Sequence, residues 1–389
     1  MTIIRLMPAA AAAVAAIVLG APHAIAKDKV TVAFIGPLSG GNAAVGLGGR
    51  NSADLAVKLR NADAKAKYTY ELVPLDDECK PNVGVQAATK VATDRAVIGG
   101  ITHYCSAVAM ATIDVYHQFG MPAVVWGAVL PDITYANDFK EISRVNGTMI
   151  NQNETNAKFM LAQGYKKWAI IHDTTDYGKG HNQFFSKFVK EGGAEILGTF
   201  GVTADQQDFT AELTQIKSLK PDVIYFGGLT PIGVRIRSQM EKLGMSAIQF
   251  EGTSGIVSDA FIEGVGAPLA EGTLAFREGA SAEKLPGGQF FLEKYKTAGY
   301  GEPPEAYGAF AYAGMNLLLD AIEKVGPDRR KVRDELRKTK DADSIVGTIT
   351  FDDHGQNSVA LITKYVAQDG KWVMWEDSEY AAGKRKLKK

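Results

Sequence analysis

Short apolar, β-branched runs alternate with longer stretches of helical period along most of the chain. From residue 30 onward, the runs at 30–35, 70–75, 96–99, 121–125 and 142–145 read as strands, and the segments at 48–61, 81–93 and 106–119 between them read as helices. Alternation of this kind builds a parallel sheet with crossover helices on both faces. The rhythm restarts with a helix at 153–162 and strands at 168–172, 196–202, 222–226 and 247–250, separated by helices at 180–190, 209–219 and 230–243. Val223, Ile224, Tyr225 and Phe226 offer no charged position, as in a strand covered on both faces. The pattern predicts an α/β protein of two doubly wound, Rossmann-like lobes. Beyond Arg277, three helices at 283–298, 305–325 and 328–337 precede two strands at 346–351 and 360–367, with 372–375 following the Asp369-Gly370 turn. No Pro/Gly/Ser-rich linker separates the lobes, which predicts chain that crosses between them several times and leaves room for hinge bending.

The first 26 residues stand outside this rhythm. They carry one charge, Arg5, then an apolar run of 11 residues at 9–19, then the small-residue stop Ala24-Ile25-Ala26. A run that short falls well below the roughly 20 residues of a membrane span, and reads as a secretory signal peptide cut before Lys27. Neither cysteine lies near that cleavage point, so the mature protein is expected free in the periplasm.

Charge removes other classes. With 43 basic and 44 acidic side chains, the protein has no net field to draw nucleic acid or an anionic membrane. The one charge run, at 384–389, reads as a solvated, frayed terminus. Cys79 and Cys105 are the only cysteines; in an oxidising compartment an even count suggests one structural disulfide, contributing about 3 to 3.5 kcal/mol.

Six segments, taken in order and at their separations, carry a resemblance: FIGPLSG at 34–40, DDECKP at 76–81, GGITHYCS at 99–106, HD at 172–173 leading to YGKG at 177–180, DFT at 208–210 and PDVIYFGG at 221–228. Over nearly the whole mature chain the sequence resembles the type I periplasmic binding proteins, specifically the leucine/isoleucine/valine-binding family of ABC importers. The resemblance implies a Cys79 to Cys105 disulfide and a three-crossover hinge near 145–148, 276–279 and 352–356. It divides the chain into a signal peptide at 1–26, an N-terminal lobe at 27–147 plus 278–354, a C-terminal lobe at 148–277 plus 355–380, and a basic tail at 381–389.

Ligands of doubly wound proteins sit beyond the carboxyl ends of the strands, where loops and helix N-termini present free N–H groups. Ser106 follows a strand and opens a helix, so it is expected to cap that helix and donate its hydroxyl to an anion. The resemblance gives Gly127, Ala128 and Val129 a main-chain role in clamping the ligand, and makes Tyr177 the contribution of the second lobe. It also exposes departures. The family's ammonium-binding glutamate falls on Ser254, a hydroxyl-bearing threonine falls on Val129, a pocket tyrosine falls on Leu229, and Val45 stands where an aromatic lines the first lobe. A hydroxyl cannot neutralise a buried ammonium. The expected ligand is therefore a small carboxylate without an α-ammonium, with Trp126 and Tyr104 as candidate ring partners; branched-chain or other amino acids are the alternative, with Glu251 the acid nearest in sequence to serve them.

An enzyme is the rival class, but the acidic clusters at 76–78 and 352–353 read as solvated strand ends. Gly252-Thr253-Ser254-Gly255 is not the Gly-x-Ser-x-Gly of a nucleophile elbow, and neither a metal motif nor a dinucleotide fingerprint is present. No cofactor is expected. A sensor component is the second rival, although such a chain would continue into a membrane span. The expected partners are a small-molecule ligand and a permease and ATPase complex in the inner membrane, with the binding protein itself a monomer.

Overall fold

The computed structural model describes residues 27–359 and 361–389. The expected signal peptide lies outside the described residues.

Two sheets organise the fold. The first contains β1 (Lys29–Gly36), β2 (Thr69–Asp76), β3 (Val97–Thr102), β4 (Ala123–Val125) and β5 (Ile142–Arg144), in the order β2-β1-β3-β4-β5. All its pairings are parallel. The second contains β6 (Lys167–Asp173), β7 (Glu195–Val202), β8 (Val223–Gly227), β9 (Gln249–Gly252), β10 (Leu274–Glu278), β11 (Ile362–Gln368) and β12 (Lys371–Met374), in the order β12-β11-β10-β9-β8-β6-β7. It is parallel up to β10, with β11 and β12 added antiparallel.

Strand period explains how each sheet is buried on both faces. In β8, Ile224 and Phe226 enter one apolar cluster while Val223 and Tyr225 enter another. In β1, Val32 and Phe34 face one way, Ala33 and Ile35 the other. Successive side chains of a strand point to opposite sides, so a run without polar residues is stable only between two helical layers. This is the two-lobed α/β architecture of the type I periplasmic binding fold.

The chain passes between the sheets three times: after β5 into the helix Met149–Ala162, after β10 back to the helices Gly288–Thr297 and Gly308–Val325, and from Asn357 into β11. Gly308–Val325 packs on the first-lobe helix Ala43–Ala62. The crossovers lie side by side, since Arg144 and Gln356 form a parallel bridge.

Three expectations need correction. The strand at 346–351 is instead a tight reversal held by the isolated bridges Ala342 with Ile349 and Phe351 with Asn357; Gly347 at φ +98° turns the chain back before a ladder can grow. The basic tail is not frayed: Arg385 pairs with Glu271, Asp369 and Glu379, Leu387 packs against the second-lobe core, and Lys388 C=O accepts the Tyr165 hydroxyl at 2.7 Å. Nor is the acidic cluster at 76–78 wholly solvated. Asp77 is fully buried, with Oδ2 2.9 Å from His103 Nδ1 and Oδ1 accepting the Cys79 N–H at 2.9 Å.

The disulfide joins Cys79 and Cys105 across a Cα separation of 5.5 Å. It fastens the turn after β2, where Glu78 and Cys79 both have positive φ, to the residue before Ser106.

Candidate functional site

On the first lobe, the chain leaves β3 through His103, whose φ of 54° turns it so that the helix Ser106–Phe119 starts beyond the strand end. Ser106 does not cap this helix: its side chain makes no capping bond, and Cys105 holds the cap position. Its Oγ instead accepts the N–H of Val129 at 3.2 Å and of Leu130 at 3.3 Å. A hydroxyl has two acceptor sites and one proton. With both acceptor sites taken, Ser106 can only donate, which suits an anionic oxygen.

The loop after β4 wraps Ser106. The Ala128 N–H donates to His103 C=O at 3.2 Å, and Val129 C=O accepts the Met149 N–H at 2.9 Å. The Ala128 C=O and the Val129 N–H bond side chains instead, which leaves the N–H and C=O of Gly127 as the loop's peptide groups without a hydrogen bond among the described residues. Glycine is required at 127, because a Cβ there would lie 2.8 Å from the Tyr104 ring.

The candidate aromatic residues separate in role. Trp126 is fully buried within the first lobe, its ring between Phe34 at 5.4 Å and Tyr104 at 5.8 Å, with Gly36 and Gly49 leaving it room. Tyr104 also meets the edge of Tyr307 at 5.6 Å in the same first-lobe cluster, and Tyr307 in turn reaches the end of β10 in the second sheet through its hydroxyl. Val45 belongs to the same first-lobe cluster as Tyr104.

Across the seam, Tyr177 opens the helix Asp176–Glu191, whose N-cap Thr175 accepts the Gly178 N–H. The Tyr177 hydroxyl donates to Thr253 Oγ1 at 2.8 Å and lies 3.2 Å from Ser254 Oγ. Although these residues belong to the second lobe, the Tyr177 ring is buried in a first-lobe apolar cluster, and Leu229, after β8, packs against both first-lobe clusters. The two lobes are in contact here. Gly41 faces Pro231, and a Cβ on Gly180 would lie 2.9 Å from Leu130 Cδ1. Ser106, Ala128, Val129, Tyr177 and Ser254 are accordingly all buried at this closed seam.

Sequence reasoning missed the acid that borders the site. Glu278 ends β10 at the second crossover and is 1% exposed. Its Oε2 accepts the Tyr307 hydroxyl at 2.8 Å and its Oε1 accepts Gln152 Nε2. Burial raises its pKa against the pull of those bonds and of Arg277. Its field in turn contributes to the raised pKa values of Tyr104, Tyr177 and Tyr307, after the larger effect of burial on each, which puts all three in its neighbourhood. Arg277 turns its guanidinium to the Tyr365 and Tyr307 rings, 5.0 and 5.9 Å away. The signal in sequence was a charged residue closing an apolar parallel strand, where ligand-facing groups emerge.

Glu251 does not serve the site. Its Oε1 accepts the Trp168 indole N–H at 2.8 Å inside the second lobe, and burial pushes its pKa up to about 8. His181, edge-on to Tyr177 at 4.5 Å, is held neutral by burial, which pushes its pKa down to about 3. Among the described residues no group of three or more His, Cys, Asp or Glu is arranged to hold a metal ion.

Comparison with known proteins places these features in a lineage. A family model described as periplasmic binding protein matches residues 29–371. The chain is 32% identical to the Leu/Ile/Val-binding protein BraC3 of Rhizobium johnstonii, over 90% of this chain and 95% of that relative. It is 29% identical to the Leu/Ile/Val-binding protein of Escherichia coli over 85% of this chain and 89% of the relative. Among solved structures, a leucine binding protein from Thermotoga maritima superposes with a TM-score of 0.80 at 27% identity, covering 89% of this chain and 97% of that one. A solute binding protein of an ABC transporter from R. palustris, in complex with benzoate, superposes with the same TM-score at 21% identity, over 89% of this chain and 95% of that one.

Proposed function

The chain belongs to the periplasmic binding protein family, in its Leu/Ile/Val-binding branch, and on that premise we propose that it binds a small apolar amino acid between its lobes for delivery to an ABC importer. As the solute-binding component of an ABC transporter it is not an enzyme. The finer reading concerns the ligand, and one observation carries it: the buried carboxyl of Glu278 stands beside the tyrosines that border the seam, while Ser106 on the facing lobe is left with only a proton to give. A zwitterion has the complementary pair of charges. In this reading Ser106 and Gly127 receive the carboxylate, Glu278 receives the ammonium that Ser254 cannot, and Tyr177, Ser254, Ala128, Val129, Leu229 and Val45 shape the remainder. The relatives named for leucine, isoleucine and valine support it.

Micromolar capture corresponds to about 8 kcal/mol, within reach of a few charge-assisted hydrogen bonds and one buried apolar side chain. Export through cleavage before Lys27, and recognition of the closed form by a permease and ATPase in the inner membrane, complete the reading.

A second reading, a carboxylate without an ammonium, has its own observation: Ser254 and Val129 replace two groups that serve amino acids in this family, and structural neighbours from R. palustris were solved with benzoate and 4-hydroxybenzoate. Calorimetric titration of the mature protein with leucine, isoleucine, valine, benzoate and 4-hydroxybenzoate separates the two. Binding of the amino acids at least a hundredfold tighter than the benzoates is expected. Benzoate binding without amino acid binding would replace the first reading by the second.

A further inference from the structure

Arg144, the last residue of β5, is fully buried, and every group its guanidinium bonds among the described residues is uncharged. Its guanidinium is nevertheless well occupied. Nη1 donates to Leu130 C=O at 2.6 Å and to Ala128 C=O at 3.2 Å, Nη2 donates to Thr134 Oγ1 at 3.0 Å, and Nε donates to Gln356 Oε1. An isolated buried charge costs several kcal/mol unless its surroundings solvate it. Here backbone carbonyls and neutral side chains do so, and the positive field is not cancelled by a contacting carboxylate.

The direction of that field matters. The peptide between Ala128 and Val129 has the cation at its carbonyl end and Ser106 at its amide end, since the Val129 N–H donates to Ser106 Oγ at 3.2 Å. Hydrogen bonds in series polarise one another, and more strongly in a low-dielectric interior. A guanidinium drawing electron density from the Ala128 oxygen makes the Val129 N–H a stronger donor, and that draws density from Ser106 Oγ. The proton of Ser106 becomes more acidic without any contact between Arg144 and the ligand.

The same side chain reaches the third crossover. Gln356, which accepts from Arg144 Nε, donates its Nε2 to Asn146 C=O at 2.8 Å, and Asn146 Nδ2 donates to Ala128 C=O at 3.2 Å. The Arg144 N–H donates to Gly355 C=O at 2.8 Å, and the Asn357 N–H donates to Arg144 C=O at 3.0 Å. A closed circuit therefore connects the loop around Ser106 with two of the three segments that cross between the lobes.

We propose that Arg144 is a positioning residue for ligand binding, setting the strength of Ser106 as a donor to a carboxylate through the Ala128-Val129 peptide and tying that loop to the crossover at Gln356. The proposal rests on the reading of Ser106 as the carboxylate's partner. It does not depend on which carboxylate is carried.

The test uses Arg144→Met, Arg144→Lys and Gln356→Leu, with Ser106→Ala for a double-mutant cycle. Calorimetry with leucine against leucinamide, and benzoate against benzamide, reads the charge dependence. Arg144→Met is expected to weaken the carboxylate of the pair that binds at least thirtyfold and its amide less than threefold, with Arg144→Lys between. Adding Ser106→Ala is expected to cost far less in the Arg144→Met background than in the wild type, because the two residues act in series. Equal losses for carboxylate and amide, or additive effects in the cycle, would overturn the proposal. Amide hydrogen exchange on the ligand-free protein provides the arm that stands apart from ligand identity: Val129, Leu130 and Asn357 are expected to exchange at least tenfold faster in Arg144→Met while the β8 amides keep their protection. In Gln356→Leu the gain is expected at Asn357 and smaller at Val129. Unchanged exchange at Val129 in Arg144→Met would overturn the proposal, whereas a wild type that binds none of the four probes, with this exchange pattern intact, would count against the ligand reading alone.

Discussion

The Gly255 N–H donates to the Tyr177 hydroxyl oxygen at 2.9 Å. That oxygen also sends its proton to Thr253 Oγ1, so its bonding is spent within the second lobe, while the ring it belongs to is buried in a first-lobe cluster. Tyr177 thus fixes the Thr253-Ser254-Gly255 loop and presents it to the seam in one movement. The Thr253-Ser254-Gly255 loop is thus already ordered where the Tyr177 ring enters the first-lobe cluster.

Replacing Tyr177 by Phe keeps the ring, leaves the Gly255 N–H with only its longer bond to Thr253 Oγ1 at 3.3 Å, and takes from Thr253 Oγ1 the proton it received. Each hydrogen bond lost in this way costs about 0.5 to 1.5 kcal/mol. The expected result is a loss of ligand affinity of about tenfold, with the second lobe loosened at the Thr253-Ser254-Gly255 loop, read by calorimetry beside chemical denaturation.

Breaking the disulfide by Cys79→Ala with Cys105→Ala removes a loop constraint of about 3 kcal/mol in the chain-entropy account. Because Cys105 immediately precedes Ser106, the expected effect extends to the ligand. Denaturation should show the stability loss, and titration an affinity loss that a constraint remote from the site would not produce.

Glu251 gives a pH prediction. In the fold its carboxyl holds a proton up to about pH 8, whereas in the unfolded chain it releases it in the ordinary range near 4.5. The folded state binds the extra proton between those values. The stability contribution is therefore complete below about pH 4.5 and is lost as pH rises towards 8. Glu251→Gln keeps an acceptor for Trp168 and removes the titration, so its stability advantage over the wild type should grow from pH 5 to pH 8, reaching a few kcal/mol. Urea denaturation followed by tryptophan fluorescence measures it; a gap independent of pH would contradict the buried, protonated carboxyl.

Removal of residues 384–389 should lower the melting temperature by a few degrees while leaving ligand affinity within twofold. Leu387 loses its packing, and the Tyr165 hydroxyl loses the Lys388 carbonyl, but neither touches the seam. No change in melting temperature would return the tail to the solvated state that its charge pattern suggests.

Most of the fold was legible because both lobes are written in strand-length apolar runs and helical periods, and because the motifs around Pro37, Cys79 and Gly227 hold their order. Candidate residues could be named from the sequence where strand ends coincide with motifs, as at Ser106, Gly127 and Tyr177. The site was not legible where a single polar residue does work set by long-range contact. Glu278 gains its place from Gln152 and Tyr307, far along the chain on either side, and Arg144 from Gln356. The tail was misread for a related reason: six residues dense in Lys and Arg look solvated until Glu271, Asp369 and Glu379 are seen to converge on Arg385. The Gly347 reversal looked like a strand because its flanks are β-branched, and only the positive φ forbids it.

Small-angle scattering of the mature protein, with and without a saturating ligand from the calorimetric panel, tests the central claim that one small molecule is clasped between the two lobes. The account predicts that the radius of gyration falls on saturation to the value computed for the closed arrangement described above, and that Ser106→Ala at the same concentration stays open. An unchanged radius under tight binding would contradict it.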